Sequence, residues 1–270
     1  AASGNTIINN QSTSAVTDFI TSADSIEFKG GTLYVKETGV KIATSNGAVT
    51  INSIDGDHDE TVEIAAGSGA VSVGRIGGTN SSGEGIKSVA ITSSNATGIT
   101  LSGNITTSDT ADSDVTLTGK VEIDGAVAID TSQGEDGDIT FSSTINAEGG
   151  GSNTETLSVS SGTGAITLGV VGGTTGLDSL VVNSSALTIS NNITTANGLI
   201  DINAPVTLGA DVIISSGTGT GNVEFSSTIA GTQNLDILSG GGAVTITGNI
   251  GGGGALTSLD INATGASTGS

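Results

Sequence analysis

The feature that most constrains the fold of this chain is a recurring unit of three residues, apolar–polar–apolar. Val62-Glu63-Ile64 and Ile166-Thr167-Leu168 are examples, and most such units are entered through Gly or Asn. In an extended strand, the first and third residues point to one face and the middle residue points to the other. The unit therefore predicts short β-strands with one buried and one solvated face, whereas the spacing typical of helices is absent.

Many of these units are followed, three or four positions after their last member, by another apolar residue. A Gly or Asn in between would bend the chain and turn this residue inward as well. We therefore expect a second set of core positions beyond the strand triplets, which consists of Ile54, Ile76, Ile105, Ile145, Ile193, Ile229 and Ile250.

The strands are short and closely spaced, and the Asn-Gly and Asp-Gly pairs are too few to join them all as hairpins. Short inward-facing strands joined by Gly, Ser, Thr and Asn corners are typical of a solenoid, in which each coil contacts only its neighbours. The sequence thus predicts an all-β protein, a parallel β-solenoid (β-helix). Its ten to twelve coils would form a rod about 50 Å long.

A longer repeat is superimposed on the short units. The segment 104–107, Asn-Ile-Thr-Thr, recurs at 192–195, and the segment 141–145 recurs at 225–229. The unit is about 80–95 residues long and spans several coils. We divide residues 47–270 into successive units at 47–141, 142–225 and 226–270, and we expect the repeated Asn to form a backbone turn.

Residues 1–46 differ in composition from the rest of the chain. They hold three of the five aromatic residues and three of the six bases. One interpretation is a hydrophobic cap on an open end of the solenoid, and the other is a docking segment for another chain. The docking interpretation assigns an assembly interface to Phe19, Phe28, Lys29, Tyr34, Lys36 and Lys41.

Composition excludes several kinds of site. The 270 residues include no cysteine and one histidine, so disulfides, thiolate sites and zinc sites with two imidazoles are ruled out. Six bases against 27 acids, with 2% aromatic residues, argue against nucleic-acid binding. No apolar run is long enough for membrane insertion by a helix. Catalysis is not expected either, because no motif pairs a nucleophile with a base.

The best candidate for ligand binding is the acidic segment 55–60. Alternating acids around a glycine can surround a hard cation with oxygen atoms, which predicts a Ca²⁺ site on Asp55, Asp57, Asp59 and Glu60. The alternative is a solvated corner loop that binds no metal, and the fold itself requires no cofactor. Weaker candidates of the same kind are the acidic sets Asp109, Asp112 and Asp114 and Glu135, Asp136 and Asp138.

A resemblance to a known family rests on two segments. They are residues 242–252, Gly-Ala-Val-Thr-Ile-Thr-Gly-Asn-Ile-Gly-Gly, and residues 256–263, Leu-Thr-Ser-Leu-Asp-Ile-Asn-Ala. Together they resemble the β-strand-repeat regions of large bacterial surface proteins, the filamentous-haemagglutinin-like adhesins. The similarity extends over residues 47–263. It implies export, a right-handed parallel β-helix and a role as a stalk, an adhesin or a surface fibre.

These observations lead to one functional expectation and several rivals. We expect a non-enzymatic, extracellular subunit of a cell-surface fibre or matrix that joins copies of itself head to tail. The alternatives are a stalk fragment of a secreted adhesin and a β-helix that binds host or surface glycans or proteins. Ice binding would need a threonine ladder that repeats coil after coil, and the pairs Thr116/Thr118 and Thr245/Thr247 do not predict one.

Overall fold

The computed structural model describes residues 6–9, 17–36, 38–78, 85–108, 110–133, 137–149, 155–265 and 268–269. Within these ranges the protein has no helix, and its strands pair in parallel over about ten turns. The prediction of an all-β parallel solenoid is therefore confirmed. No helix in the described ranges could span a membrane.

Thirty strands are described, most of them two to six residues long. They are β1 (Thr6–Asn9), β2 (Thr17–Thr21), β3 (Ile26–Phe28), β4 (Leu33–Lys36), β5 (Gly39–Thr44), β6 (Val49–Gly56), β7 (Glu60–Ala65), β8 (Val71–Ile76), β9 (Ile86–Thr92), β10 (Ile99–Leu101), β11 (Ile105–Thr106), β12 (Val115–Thr118), β13 (Val121–Ile123), β14 (Ala126–Asp130), β15 (Ile139–Phe141), β16 (Ile145–Ala147), β17 (Thr156–Ser160), β18 (Ala165–Thr167), β19 (Ser179–Asn183), β20 (Ala186–Ile189), β21 (Ile193–Thr194), β22 (Ile200–Asn203), β23 (Val206–Leu208), β24 (Val212–Ser215), β25 (Val223–Phe225), β26 (Ile229–Ala230), β27 (Asn234–Gly240), β28 (Val244–Ile246), β29 (Ser258–Ala263) and β30 (Thr268–Gly269).

These strands form three parallel sheets, and each coil contributes a strand to more than one of them. The first sheet has sixteen strands. Twelve of them follow one another from β1 to β30, and the other four, β3, β10, β13 and β16, pair within the sheet off this main path. The second sheet has ten strands, from β2 to β26, and the third joins β21, β24, β27 and β29. Neighbouring strands belong to successive coils, because a parallel pair requires a connection that passes around the rod.

The core consists of aliphatic columns that run along the rod. In the second sheet, Val62 is in register with Val89, and the same column continues through Val115 and Ile139 to Ile229. Its described members from Val40 to Ile229 are at most 2% exposed. The additional inward residues from Ile54 to Ile229 are fully buried as predicted, and Ile250 is partly buried against them.

Coil length varies along the rod. The offset between register partners is 19 residues from Leu187 to Val206 and 27 residues from Val62 to Val89. The corners absorb this variation, so the inward columns stay in register although the coils differ in length.

Many corners are closed by a buried hydroxyl group. Thr44, Ser161, Thr195 and Ser239 each donate a hydrogen bond to the carbonyl oxygen of a glycine three residues later. Because a buried carbonyl without a donor is costly, this bond lets the chain turn inside the rod without losing a polar partner. The signal in the sequence is Ser or Thr, two further residues and Gly, placed just before a strand.

Stacked corners leave no room for a side chain at some glycines. A Cβ atom at Gly69 would lie 2.0 Å from the carbonyl oxygen of Gly47, one coil away. A Cβ atom at Gly242 would lie 1.9 Å from the carbonyl oxygen of Gly221. The Gly-Ala-Val and Gly-Ala-Ile sequences thus mark corners where one coil rests directly on the backbone of another.

The strands before residue 46 belong to the same ladders as those after it. β2 pairs with β5, and β5 with β7, in the second sheet, while β3 and β4 both pair with β6 in the first. The boundary predicted at residue 46 therefore coincides with no break in the sheets. A capping or docking role for residues 1–46 stays a prediction, as do the longer repeat units and the handedness of the coils.

Candidate functional site

The acidic segment 55–60 forms the corner between β6 and β7. The end of β6 brings Asp55 beside β8 of the following coil, where its carboxylate is almost fully buried. Arg75 lies in β8 with its Nη1 atom 3.3 Å from Oδ2 of Asp55 and also donates to the carbonyl oxygen of Gly77. Asp55 is thus the buried half of an ion pair between coils, and its carboxylate points away from the solvated part of the loop.

Asp57 lies on the exposed side of the same corner. Its Oδ2 atom is 2.6 Å from Nζ of Lys36, one coil earlier, and its Oδ1 atom is 2.9 Å from Nδ1 of His58. Burial acts to raise the pKa of Asp57, but the hydrogen bonds from Lys36 and His58 together outweigh it and hold that pKa below its ordinary value.

Glu60 closes the corner from the inside. Its side chain is fully buried, and both carboxylate oxygens accept the backbone N–H of His58, at 3.1 and 3.0 Å. Burial raises the pKa of Glu60, while the backbone N–H groups partly oppose that shift. A Cβ atom at Gly56 would lie 2.2 Å from Oε2 of Glu60, so glycine at this position leaves room for the buried carboxylate as it is placed. Glu60 therefore shapes the loop by binding the loop's own backbone.

One group in this corner has ligand atoms close enough together to hold a metal ion. Asp57, His58 and Glu60 each offer one ligand atom, and these atoms lie within 4.8 Å of one another. Asp55 is engaged by Arg75, and Asp59 has a left-handed backbone (φ 61°) with one buried, unpartnered carboxylate oxygen. The Ca²⁺ site on Asp55, Asp57, Asp59 and Glu60 stays a prediction, and an ion would compete with Lys36 for Asp57.

Two of the weaker acidic candidates bind the backbone of the next coil. Oδ1 of Asp114 accepts the N–H of Asp138 at 2.8 Å, and Oδ1 of Asp138 accepts the N–H of Ala165 at 2.7 Å. Asp112 adopts a left-handed turn with φ of 60°. Asp109, Glu135 and Asp136 lie outside the described residues.

The residues predicted as an assembly interface are engaged within the chain. Phe19 and Phe28 are half-buried and meet edge to face, with ring centroids 5.5 Å apart. The lysines each lie close to a carboxylate, with Lys29 paired to Glu27, Lys36 to Asp57 and Lys41 to Glu63. Tyr34 is half-buried in β4 and in register with Asp55 of β6. Lys36 and Lys41 therefore already compensate acids of the next coil, and Lys29 compensates an acid of its own coil.

Polar corner residues form a second ladder along the rod, which the sequence did not reveal. Oδ1 of Asn104 accepts the N–H of Ala128, and Oδ1 of Asn192 accepts the N–H of Ile213, each at 2.9 Å. The expected backbone turn at this repeated Asn stays a prediction, and its side chain binds the next coil because parallel stacking places an N–H of that coil within its reach. The open groove beside Asn192 is lined in part by Asp211 and Asp236.

The outer face of the second sheet carries a regular threonine column. Five threonines lie in register on five successive coils: Thr116, Thr140, Thr167, Thr188 and Thr207. The expectation that threonines do not repeat coil after coil is therefore wrong. Their sequence spacing is irregular because the corners differ in length, so only the register brings them together.

The side chains that flank this column are small. On three adjacent coils the exposed residues are Ala165 and Thr167, then Ala186, Thr188 and Ser190, then Pro205, Thr207 and Gly209, whereas Gly169 is buried. Side chains of this size leave the face flat, and none of them is charged.

Comparisons with protein-family models, curated proteins and solved structures find no match to this chain.

Proposed function

We propose that this chain is a rigid, non-enzymatic structural element of a bacterial cell surface, exported and assembled into a fibre or matrix. The observation that supports the proposal best is the unbroken register of the inward columns, which makes each coil a template for the next. Backbone hydrogen bonds then run parallel to the rod, so bending or stretching it breaks many of them at once. A non-catalytic role also agrees with the acids, many of which bind backbone or cations of neighbouring coils.

The partner in this proposal is a second copy of the chain, joined head to tail. Any coil of a parallel solenoid offers N–H and C=O groups along the rod axis, and another coil can pair with them. The high negative charge opposes side-by-side contact of rods and leaves axial contact as the favoured arrangement.

Electron microscopy of the purified 270-residue chain tests this proposal. Filaments that lengthen with protein concentration and keep the width of one rod are expected. Single rods about 50 Å long at every concentration would instead favour the stalk of a larger adhesin. Compact particles would contradict both functions.

The threonine column supports a second candidate function, which is binding to the surface of ice. Thr167, Thr188 and Thr207 offer a hydroxyl and a methyl group on three successive coils, about 4.8 Å apart, and the residues beside them on their own strands are small and uncharged. A regular array of this kind can order water in a repeating pattern, whereas charged side chains on the same face would disturb it.

Measuring ice recrystallisation in the presence of the protein tests this second function. The wild-type chain is expected to inhibit crystal growth, and Thr167→Tyr to abolish the inhibition by interrupting the flat face. The matched control is Thr245→Tyr, on the outer face of the first sheet, where the neighbouring coil carries Glu224. A wild-type chain without inhibition would rule out the ice-binding function and leave the structural function untouched.

A further inference from the structure

The register of the C-terminal coils places acidic side chains directly above one another. Asp201 of β22 is in register with Glu224 of β25, and Asp236 of β27 is in register with Asp260 of β29. We call these two pairs the acid stacks. Their side chains point outward from neighbouring strands about 4.8 Å apart, and like charges in this arrangement repel one another.

The C-terminal part of the chain has no cation to compensate these charges. After Lys120 the sequence contains neither lysine nor arginine. The groups that contact the stacks are neutral: Nδ2 of Asn203 lies 3.0 Å from Asp201, and Nδ2 of Asn222 lies 3.2 Å from Glu224. These amides hydrogen-bond the carboxylates but leave their charge in place.

The N-terminal coils show the opposite arrangement in the equivalent position of the second sheet. Asp18, Lys41 and Glu63 are in register on three successive coils, so a base lies between two acids. The hydrogen bond from Lys41 to Glu63 raises the pKa of Lys41. We call this set the alternating column, and the Lys36–Asp57 pair reinforces it one strand earlier.

We propose that the two parts of the rod respond to ionic strength in opposite directions, so that salt tightens the C-terminal coils and loosens the N-terminal ones. Salt screens both repulsion and attraction between exposed charges, and the screening length falls from about 30 Å at 0.01 M to about 3 Å at 1 M. The rung spacing of about 4.8 Å lies between these limits. The proposal concerns contacts within one chain and does not depend on the proposed function.

Hydrogen–deuterium exchange measured separately on segments of the whole chain tests the proposal. Exchange is compared at about 0.01 M and about 1 M NaCl, at one pH and temperature. In high salt, segments 200–208 and 234–240 are expected to exchange severalfold more slowly, and segment 39–65 to exchange faster. The ratio between segments removes any effect of salt on the exchange chemistry itself. Equal slowing of all three segments would overturn the proposal.

Three single variants distinguish the effect of local stacking from the effect of net charge. Each of them removes one negative charge. At low salt, Glu224→Gln and Asp260→Asn are expected to slow exchange in their own coils and to remove most of the salt response there. Glu63→Gln is expected to accelerate exchange in segment 39–65, because it removes an attraction. If all three variants slow exchange everywhere, the general repulsion of a highly charged chain explains the effect and the proposal is wrong.

Discussion

The coils of β4–β9 and those of β19–β29 share one core and differ in almost everything outside it. Both bury columns of Val, Ile and Leu at close to zero exposure, except in the last strand, β29, where Leu259 and Ile261 are 38% and 39% exposed. The earlier coils add ion pairs between coils, including the buried Asp55 with Arg75. The later coils rely on corner hydroxyls and on Asn or Asp side chains that bind the next backbone, and they carry the acid stacks. The inward columns thus set the fold, whereas the outer columns can vary without changing it.

The largest expected effect tests whether the core is common to both regions. Ile64→Ala and Ile202→Ala each remove a fully buried side chain, one from each region. Each is expected to lower the free energy of unfolding by about 2–5 kcal/mol, because of lost burial and the cavity left behind. Urea unfolding of both variants measures this cost. A large cost in one region and almost none in the other would show that the cores are not equivalent.

Breaking the buried ion pair tests what is particular to the earlier coils. Arg75→Ala leaves the Asp55 carboxylate buried without its cation and is expected to cost about 3 kcal/mol of unfolding free energy. The double variant Asp55→Asn/Arg75→Ala is expected to recover part of that loss, since no buried charge then remains. Thermal melts of both variants measure the difference. Equal stability of the single and double variants would contradict a role for the unpaired charge.

The corner hydroxyls are expected to matter in both regions, to a smaller extent. Ser239→Ala and Thr44→Val each leave a glycine carbonyl oxygen without the hydroxyl donor and are expected to cost about 1–3 kcal/mol. Ser258→Ala removes an exposed hydroxyl and is expected to change stability by less than about 0.5 kcal/mol. If all three variants unfold at the same urea concentration, the buried bond does not close the corners as described.

The smallest effect concerns two acids of the same corner with opposite pH behaviour. Burial raises the pKa of Glu60, so the native protein gains stability relative to Glu60→Gln as the pH falls from 7 towards that pKa. The pKa of Asp57 is lowered, so the native protein loses stability relative to Asp57→Asn as the pH falls through it. Melting curves from pH 7 to about pH 3 measure both differences. Slopes of the same sign would contradict these assignments.

The alternation of apolar and polar residues was sufficient to predict the parallel solenoid and most of its core. It determines which side of each strand is buried, and that property is local. The stacking partners were not predictable, because the offset between paired strands varies from 19 to 30 residues along the rod. For this reason the sequence revealed neither the threonine column, nor the Asn104 and Asn192 bonds between coils, nor the acid stacks.

The acidic corner was recognised from the sequence, but the roles of its residues were not. Asp55, Asp57 and Glu60 look alike in an alternating acidic run. In the structure one is buried beside Arg75, one pairs with Lys36 and one binds the backbone of its own loop. Those differences depend on which residues the preceding and following coils bring to the corner, and short-range spacing carries no information about them.

The stacking of coils in register is tested most directly by a molecular ruler along one outer column. The chain has no cysteine, so spin labels can be attached at introduced cysteines without background. One label is placed at Thr207→Cys and the second in turn at Thr116→Cys, Ala90→Cys, Glu63→Cys and Lys41→Cys, each one coil further away. Electron spin resonance is expected to give distances that rise by about 4.8 Å at each step. Distances that do not increase evenly would contradict the solenoid.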